Sequence, residues 1–329
     1  MFNLKVRDWL RAYAAAFVVL AFAGPSWAQD GWPNRPVKIV IAGAAGSSGD
    51  ILARLMAPKL ETMWKQPVIV DNRPGAGGIL GTEAVVNSTD GHTLILASSS
   101  SFLPKFTSKA LRFDPFTDLQ PIYKVIAYQY ALITNAETAK KAKNLRDFVA
   151  LSKTNPMFFS GMGTTAIFNL SMGVINKTLG MQYTAVDFNG VAAMNLALLR
   201  NDSQFLVNTP SSLTGQIETG QAVPLAVISS ERYPNMPNVP TLQEAVGYTG
   251  YIPQIWAGLV GPKTMPKSVV DRIARDVLAI VTDPDNKKQI EGRISGQLQR
   301  SSPAQFTKEI NDEAQVMKDL FTSINFKPE

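Results

Sequence analysis

Apolar residues in the first third of the chain fall into short continuous runs, separated by glycine-rich loops and by stretches with helical spacing. "PVKIVIAG", Pro36 to Gly43, reads as a β-strand. The small-residue loop "AGAAGSSGD" follows, and then "ILARLMAPKLETMW", where Ile51, Leu52, Leu55, Met56 and Leu60 recur on one helical face. "PVIVDN" is the next strand, "GGILGTEAVVNS" the next helix and "HTLILAS" a third strand. The strand runs are continuous rather than alternating, the pattern of a parallel sheet covered on both faces.

A second block from about Ile126 to Thr249 repeats this logic. "NLRDFVALSK", "NLSMGVINKTL", "GVAAMNLALLRND" and "PSSLTGQIETG" read as helices, and "MFFSG", "QYTAVDF", "SQFLVN" and "AVPLAVISS" as strands. "WAGLVGPKTMPKSVVDRIARDVLAIVTDP" then gives a strand, a turn and a long amphipathic helix. The tail "PAQFTKEINDEAQVMKDLFTSI" is another such helix, whose Phe306, Ile310, Val316 and Leu320 pack on the body, because its polar face mixes both signs of charge. The extended segments "IAYQYALITN" and "GYIPQIWAGLV" join the blocks as a hinge. The expectation is an α/β fold of two domains with a mainly parallel sheet in each. Residues 29–127 begin domain 1, 128–250 form domain 2, and 251–329 return to domain 1 with the C-terminal helices. A ligand belongs in the cleft between them, lined by loops at the carboxyl ends of strands.

Composition fits this picture: 329 residues suit two domains, and 45% apolar with 18% charged residues suits a globular chain. The first residues are a separate matter. Lys5, Arg7 and Arg11 precede the apolar run Ala12 to Ala23, and Ser26-Trp27-Ala28 is a small-x-small cleavage signal. The pattern is that of a secretory signal peptide, residues 1–28, cut after Ala28, with the mature chain in the periplasm. Two of the six net positive charges belong to that leader. What remains is mild, and no dense Lys/Arg stripe points to nucleic acid. There is no cysteine, which excludes disulfides and thiolate chemistry, and one histidine, which excludes a His-rich metal site. His92 reads as a strand-edge surface residue. No carboxylate or histidine constellation suggests a metal, and no dinucleotide fingerprint or P-loop suggests a cofactor, so none is expected.

Two loops share one design. "AGAAGSSGD" and "NRPGAGG" each follow a strand and open a helix, where free N–H groups and a partial positive charge favour an anion. Ser47 and Ser48 add hydroxyls. A phosphate, a carboxylate or simply a tightly packed turn could account for the glycines.

The motifs "WPNRPVKIVIAGAAGSSGDILAR", "QPVIVDNRPGAGGILGTEAV", "DGHTLILAS", "DLQPI", "PNMPNVPTLQEAVG" and "GLVGPKTMP" resemble those of the Bug-type periplasmic receptors of tripartite tricarboxylate transporters, across nearly the whole mature chain. The resemblance implies a non-enzymatic, monomeric Venus flytrap that closes on a small carboxylate and presents it to membrane permease subunits. It implies ligand contacts at Ala45, Gly46, Ser47 and Ser48, with Asp50 holding the loop rather than facing the ligand, since like charges repel. Gly77 of the second glycine loop and Ser99 after the third strand join the expected site. From the second domain come Gly163, Thr164 and Thr165. Several positions depart from the family pattern: Gly43 replaces a Phe, Asn189 a basic residue and Gln204 an acid. With Phe188 offering a ring, these changes favour an aromatic or extended mono- or dicarboxylate over aspartate, glutamate or citrate. A carboxylate sensor for a signalling system fits the same sequence. An exported hydrolase or lyase fits it less well, for want of a histidine partner set or a G-x-S-x-G elbow.

Overall fold

The computed structural model describes residues 31–163, 166–323 and 325–328. The expected leader, residues 1–28, and the site candidates Thr164 and Thr165 lie outside the described residues. From Arg35 onward the chain builds two sheets. The strands are β1 (Val37–Ile41), β2 (Val68–Asn72), β3 (Thr93–Ser98), β4 (Leu119–Tyr128), β5 (Ala131–Asn135), β6 (Phe158–Gly161), β7 (Thr184–Asp187), β8 (Phe205–Asn208), β9 (Ala222–Val227), β10 (Trp256–Pro262) and β11 (Gly296–Leu298). The first sheet has the order β11-β4-β10-β3-β1-β2 and the second β7-β6-β8-β5-β9.

Both sheets are mixed, which corrects the expectation of mainly parallel ones. β1 pairs in parallel with β2 and β3, whereas β10 runs antiparallel to β3 and β4, and β11 to β4. In the second sheet β6 is parallel to β7 and β8, and β5 is antiparallel to β8 and β9. The reason lies in the crossings. β4 passes into β5 after two residues, so the chain enters the second sheet from the side where β6 and β8 end, and must run against them. β10 re-enters the first sheet the same way.

The helix Ser48–Trp64 shows how the local elements arise. Ser47 caps it, its hydroxyl accepting the Asp50 N–H at 3.4 Å, and Leu52, Met56 and Leu60 repeat on the buried face. Each such side chain contributes about 1.5–3 kcal/mol by leaving water. Lys65, in the left-handed region at φ 56°, ends the helix. Val37, Ile39, Val40 and Ile41 of β1 are all buried, as a strand covered on both faces requires.

Some segments differ from their sequence reading. "PSSLTGQIETG" is a 3-10 turn, Pro210–Leu213, followed by a short helix, Thr214–Glu218. The expected long helix is Lys267–Thr282, and a further helix, Pro284–Glu291, follows it because Asp283 caps it and Pro284 starts it. His92 is buried rather than on the surface; its ring Nδ1 lies 2.8 Å from the Asp90 carbonyl oxygen.

The C-terminal helix Pro303–Ser323 packs on both sheet systems. Phe306 and Ile310 join Trp256 and Val260 of β10, whereas Met317, Leu320 and Phe321 join Leu170 and Val174 of the helix Ile167–Leu179. Between these contacts lies a polar cluster. Lys124 of β4, nearly fully buried, donates to Glu309 at 2.9 Å and to Gln254 at 2.5 Å, and the Trp256 indole N–H donates to Glu313 at 2.8 Å. Burial, with Glu309 adding to it, pushes the Glu313 carboxyl up to about 7 from an ordinary 4.5, against the opposing effects of Trp256 and Lys124.

The folded chain therefore keeps a proton on Glu313 that the unfolded chain releases, and stability falls as pH rises from about 4.5 to about 7. Glu313→Gln keeps an acceptor for Trp256 and removes that loss. Urea denaturation should show the variant gaining roughly 1–3 kcal/mol on the wild type across this window, with little difference below it.

Candidate functional site

The segments that follow β1, β2, β3 and β8 meet at one cleft of about 800 Å³, within the size range of small-molecule sites. Ile41, Leu96, Ala97 and Ala257 give it an apolar floor. Gly43, Ser47, Ser48 and Gly49 line it from the first glycine loop, and Gly75, Gly77 and Gly78 from the second. Ser98, Ser100 and Ser101 follow β3, Tyr128 and Tyr130 sit at the crossing from β4 to β5, and Thr209 and Ser211 follow β8. The loop Glu291–Ser295 closes the end beside β11.

The first loop is held by its own charges. The Gly46 N–H donates to Asp50 Oδ2 at 2.9 Å, and Arg54 Nε donates to Asp50 Oδ1 at 2.9 Å. Arg54 also donates to Asn72 Oδ1 at 3.0 Å, and Asn72 Nδ2 to the Gly43 carbonyl at 3.3 Å, which ties the loop to the end of β2. Asp50 is buried, and the Arg54 hydrogen bond holds its carboxyl below the usual carboxylate value. Both its oxygens are engaged, one by the loop and one by Arg54 of the helix. The amides of Ser48 and Gly49, at the open end of the helix, have no acceptor among the described residues. An anion in the cleft meets free donors and a positive helix end, not the buried carboxylate.

The second loop explains its glycines. Gly77 and Gly78 sit at φ 64° and 97°, where other side chains are strained. Gly81 serves close approach: a Cβ there would lie 2.9 Å from Ala42 Cα and 3.0 Å from the Arg73 carbonyl oxygen. The helix Ile79–Val86 can lie against the end of β1 because that atom is missing.

Of the residues singled out in the sequence, Gly43, Ser47, Ser48 and Gly77 line the cleft together. Gly43 stands over the helix cap, where a Cβ would be 3.2 Å from Ser47 Oγ. Ala45 and Gly46 are exposed at the loop tip beside the lining, and Asp50 lies behind it. Ser99 is turned away from the cleft, donating to the Gln254 carbonyl at 3.3 Å, while its neighbours Ser98, Ser100 and Ser101 face the cleft. Gly163 donates to Asp187 Oδ1 at 2.7 Å, joining the ends of β6 and β7 outside the lining. Phe188 packs among Met194 and Leu198 in the second core, and Asn189 is exposed at the turn that follows. Gln204 lies at the opposite end of the second sheet. Its side chain accepts the Phe158 N–H at 2.8 Å and donates to Asn201, so the structure does not bring it to the cleft.

Other lining residues escaped the sequence reading. Thr209 and Ser211 follow "SQFLVN", and the carboxyl-end rule could have found them. Tyr128 and Tyr130 sit in the extended segment assigned to the hinge. Burial pushes the Tyr128 phenol up to about 12 and Tyr130 further, so both are neutral donors at ordinary pH, and neither hydroxyl has a partner among the described residues. Arg293 gave no signal, because β11 is three residues long. Among the described residues no group of three or more His, Cys, Asp or Glu could hold a metal, and no helix is long and apolar enough to cross a membrane.

The family model described as "Tripartite tricarboxylate transporter family receptor" matches residues 52–326. A UPF0065 protein of Bordetella bronchiseptica is 29% identical, covering 98% of this chain and 96% of its own. The protein BugT of Bordetella pertussis is 30% identical, covering 79% of this chain and 81% of its own. The solved structure of the periplasmic binding protein BugD superposes with a TM-score of 0.70 at 25% identity, covering 91% of this chain and 100% of that one.

Two variants test how the loops are held. The folded Asp50 carboxyl titrates below its ordinary 3.8, so the stability it adds is fully present above that value and lost as pH falls through the lower one. Asp50→Asn should lose about 1 kcal/mol at pH near 7, discounted for the half-exposed Arg54, and urea titrations should show the gap closing at pH values below 3.8. Gly81→Ala should cost about 1–2 kcal/mol by overpacking against Ala42, outweighing alanine's better helix propensity, as read by the urea midpoint.

Proposed function

We propose that this chain, which belongs to the tripartite tricarboxylate transporter receptor family, captures a small carboxylate in this cleft in the periplasm, as a monomer, and presents it to the membrane permease subunits of such a transporter. One observation carries the reading. The helix Ser48–Trp64 opens onto the cleft with the Ser48 and Gly49 amides unpartnered and the Ser47 hydroxyl beside them, while the nearby Asp50 charge is neutralised behind the loop. Charge-assisted hydrogen bonds from such donors are worth about 1.5–3 kcal/mol each. The Tyr128 and Tyr130 hydroxyls donate from the crossing, and Thr209 and Ser211 from the second sheet, so one ligand engages both sides and favours their approach. Asn189 and Gly163 are the parts of the second sheet system that closure could add; Thr164 and Thr165 lie outside the described residues.

A thermal-shift screen of carboxylates tests this, because a ligand bound by the folded state alone raises the melting temperature. Ser47→Asp is the matching variant: aspartate caps helices as well as serine, so the fold survives, but its charge stands where the ligand's belongs. The expected result is a shift in the wild type and at least about tenfold weaker carboxylate binding in Ser47→Asp, whose own melting temperature is unchanged. Equal affinities in two folded proteins would remove this placement of the anion.

A further inference from the structure

The wall of the cleft is built almost wholly from glycine, serine and apolar residues, and Arg293 is its one cationic side chain among the described residues. Arg293 is exposed to the cleft and forms no hydrogen bond or ion pair from its side chain with any described residue. Glu291, two residues before it, also lines the cleft, but its carboxylate accepts the Leu298 N–H at 2.9 Å and forms no ion pair with Arg293. The backbone around Arg293 is fixed. Ile290 and Ile294 are buried on either side, and the Arg293 and Ile294 amides donate to the Ile290 carbonyl at 3.1 and 3.0 Å. An unpaired guanidinium on a turn with buried flanks, in a cleft whose other charged lining side chain among the described residues is Glu291, is a ready partner for an anion.

Its place in the sheet order sets what that anion can be. β11, which follows the Arg293 turn, is four strands from β1, which feeds the Ser47 loop. At about 4.8 Å between neighbouring strands, the two ends of the cleft stand roughly 19 Å apart at the level of the backbone. A single carboxylate at the Ser48 and Gly49 amides therefore leaves Arg293 unanswered. Between the two lie Leu96, Ala97 and Ala257, a floor suited to an apolar chain, and the Tyr128 and Tyr130 rings beside it.

We infer that Arg293 is a specificity-determining residue, forming a second anion subsite at the β11 end of the cleft and selecting an extended dicarboxylate over the monocarboxylate of the same length. This rests on the reading that the Ser47 loop holds the first carboxylate.

The test is calorimetry of the wild type, Arg293→Gln and Arg293→Lys with succinate, adipate, suberate and sebacate, each beside butyrate, hexanoate, octanoate or decanoate of matching length. In the wild type, the preference for the diacid over its monoacid should grow with length beyond succinate. Arg293→Gln should reduce that preference at least about tenfold for the best diacid, and Arg293→Lys should retain part of it. Melting temperatures without ligand report that the variants fold. If monoacids bind but diacids gain nothing, or the preference survives in Arg293→Gln, the second subsite is overturned while the first carboxylate site stands. If no acid of either series binds the wild type, both fall together.

Discussion

The two sheets of this protein turn the ends of their parallel strands toward one cleft, and that constraint governs how the rest of the chain is threaded. Any segment leaving one sheet over the cleft reaches the other from the wrong side for parallel pairing. β5 and β10 accept this by running antiparallel to their neighbours. The crossings themselves then become cleft lining, which is why Tyr128, Tyr130 and Ala257 face the same space as the glycine loops. A site placed this way draws residues from both sheets without any long loop.

Within the cleft, the electrostatics depend on where one carboxylate points. Asp50 sits in the first turn of a helix whose N-terminus faces the cleft, a position from which a free acid would repel an anion. Its oxygens are instead occupied by Gly46 and Arg54, and Arg54 continues to Asn72 and thence to the Gly43 carbonyl. The same contacts that neutralise the charge also set the loop, so rigidity and anion preference have a common origin. For an anion bound as proposed, this would lower the ordering cost, since the donors are in place before it arrives.

The C-terminal helix links the two sheet systems a second time, away from the strand crossings. Its first half is part of the β10 core, and its second half buries Met317, Leu320 and Phe321 against Leu170 and Val174. The polar cluster of Lys124, Gln254, Glu309 and Glu313 lies between these contacts, and Trp256 joins it to β10. Any change in the angle between the sheets must be accommodated in this helix packing, where large apolar side chains interlock.

Much of this was legible from residue order. The strand and helix runs around "PVKIVIAG", "PVIVDN" and "HTLILAS" follow from local periodicity, and the glycine loops follow from strand-to-helix junctions that need unusual backbone angles and close approach. Ser47, Ser48, Gly43 and Gly77 could be placed for that reason, since a helix N-terminus after a strand is a local feature. Ser99 and Gln204 could not, because a side chain's direction is decided by long-range partners: the Gln254 carbonyl for the first, the Phe158 N–H for the second. Strand direction in β5 and β10, the burial of His92 and the arrival of Arg293 at the cleft likewise depend on pairing between segments far apart in the chain. The sequence by itself determined the elements, the family pattern and the anion-seeking loops, because those rest on neighbours a few residues away. The tertiary structure alone decided which end of each strand meets which, and so which side chains share the cleft, because hydrogen-bonded pairing and burial between distant segments select among directions that local preference leaves equal.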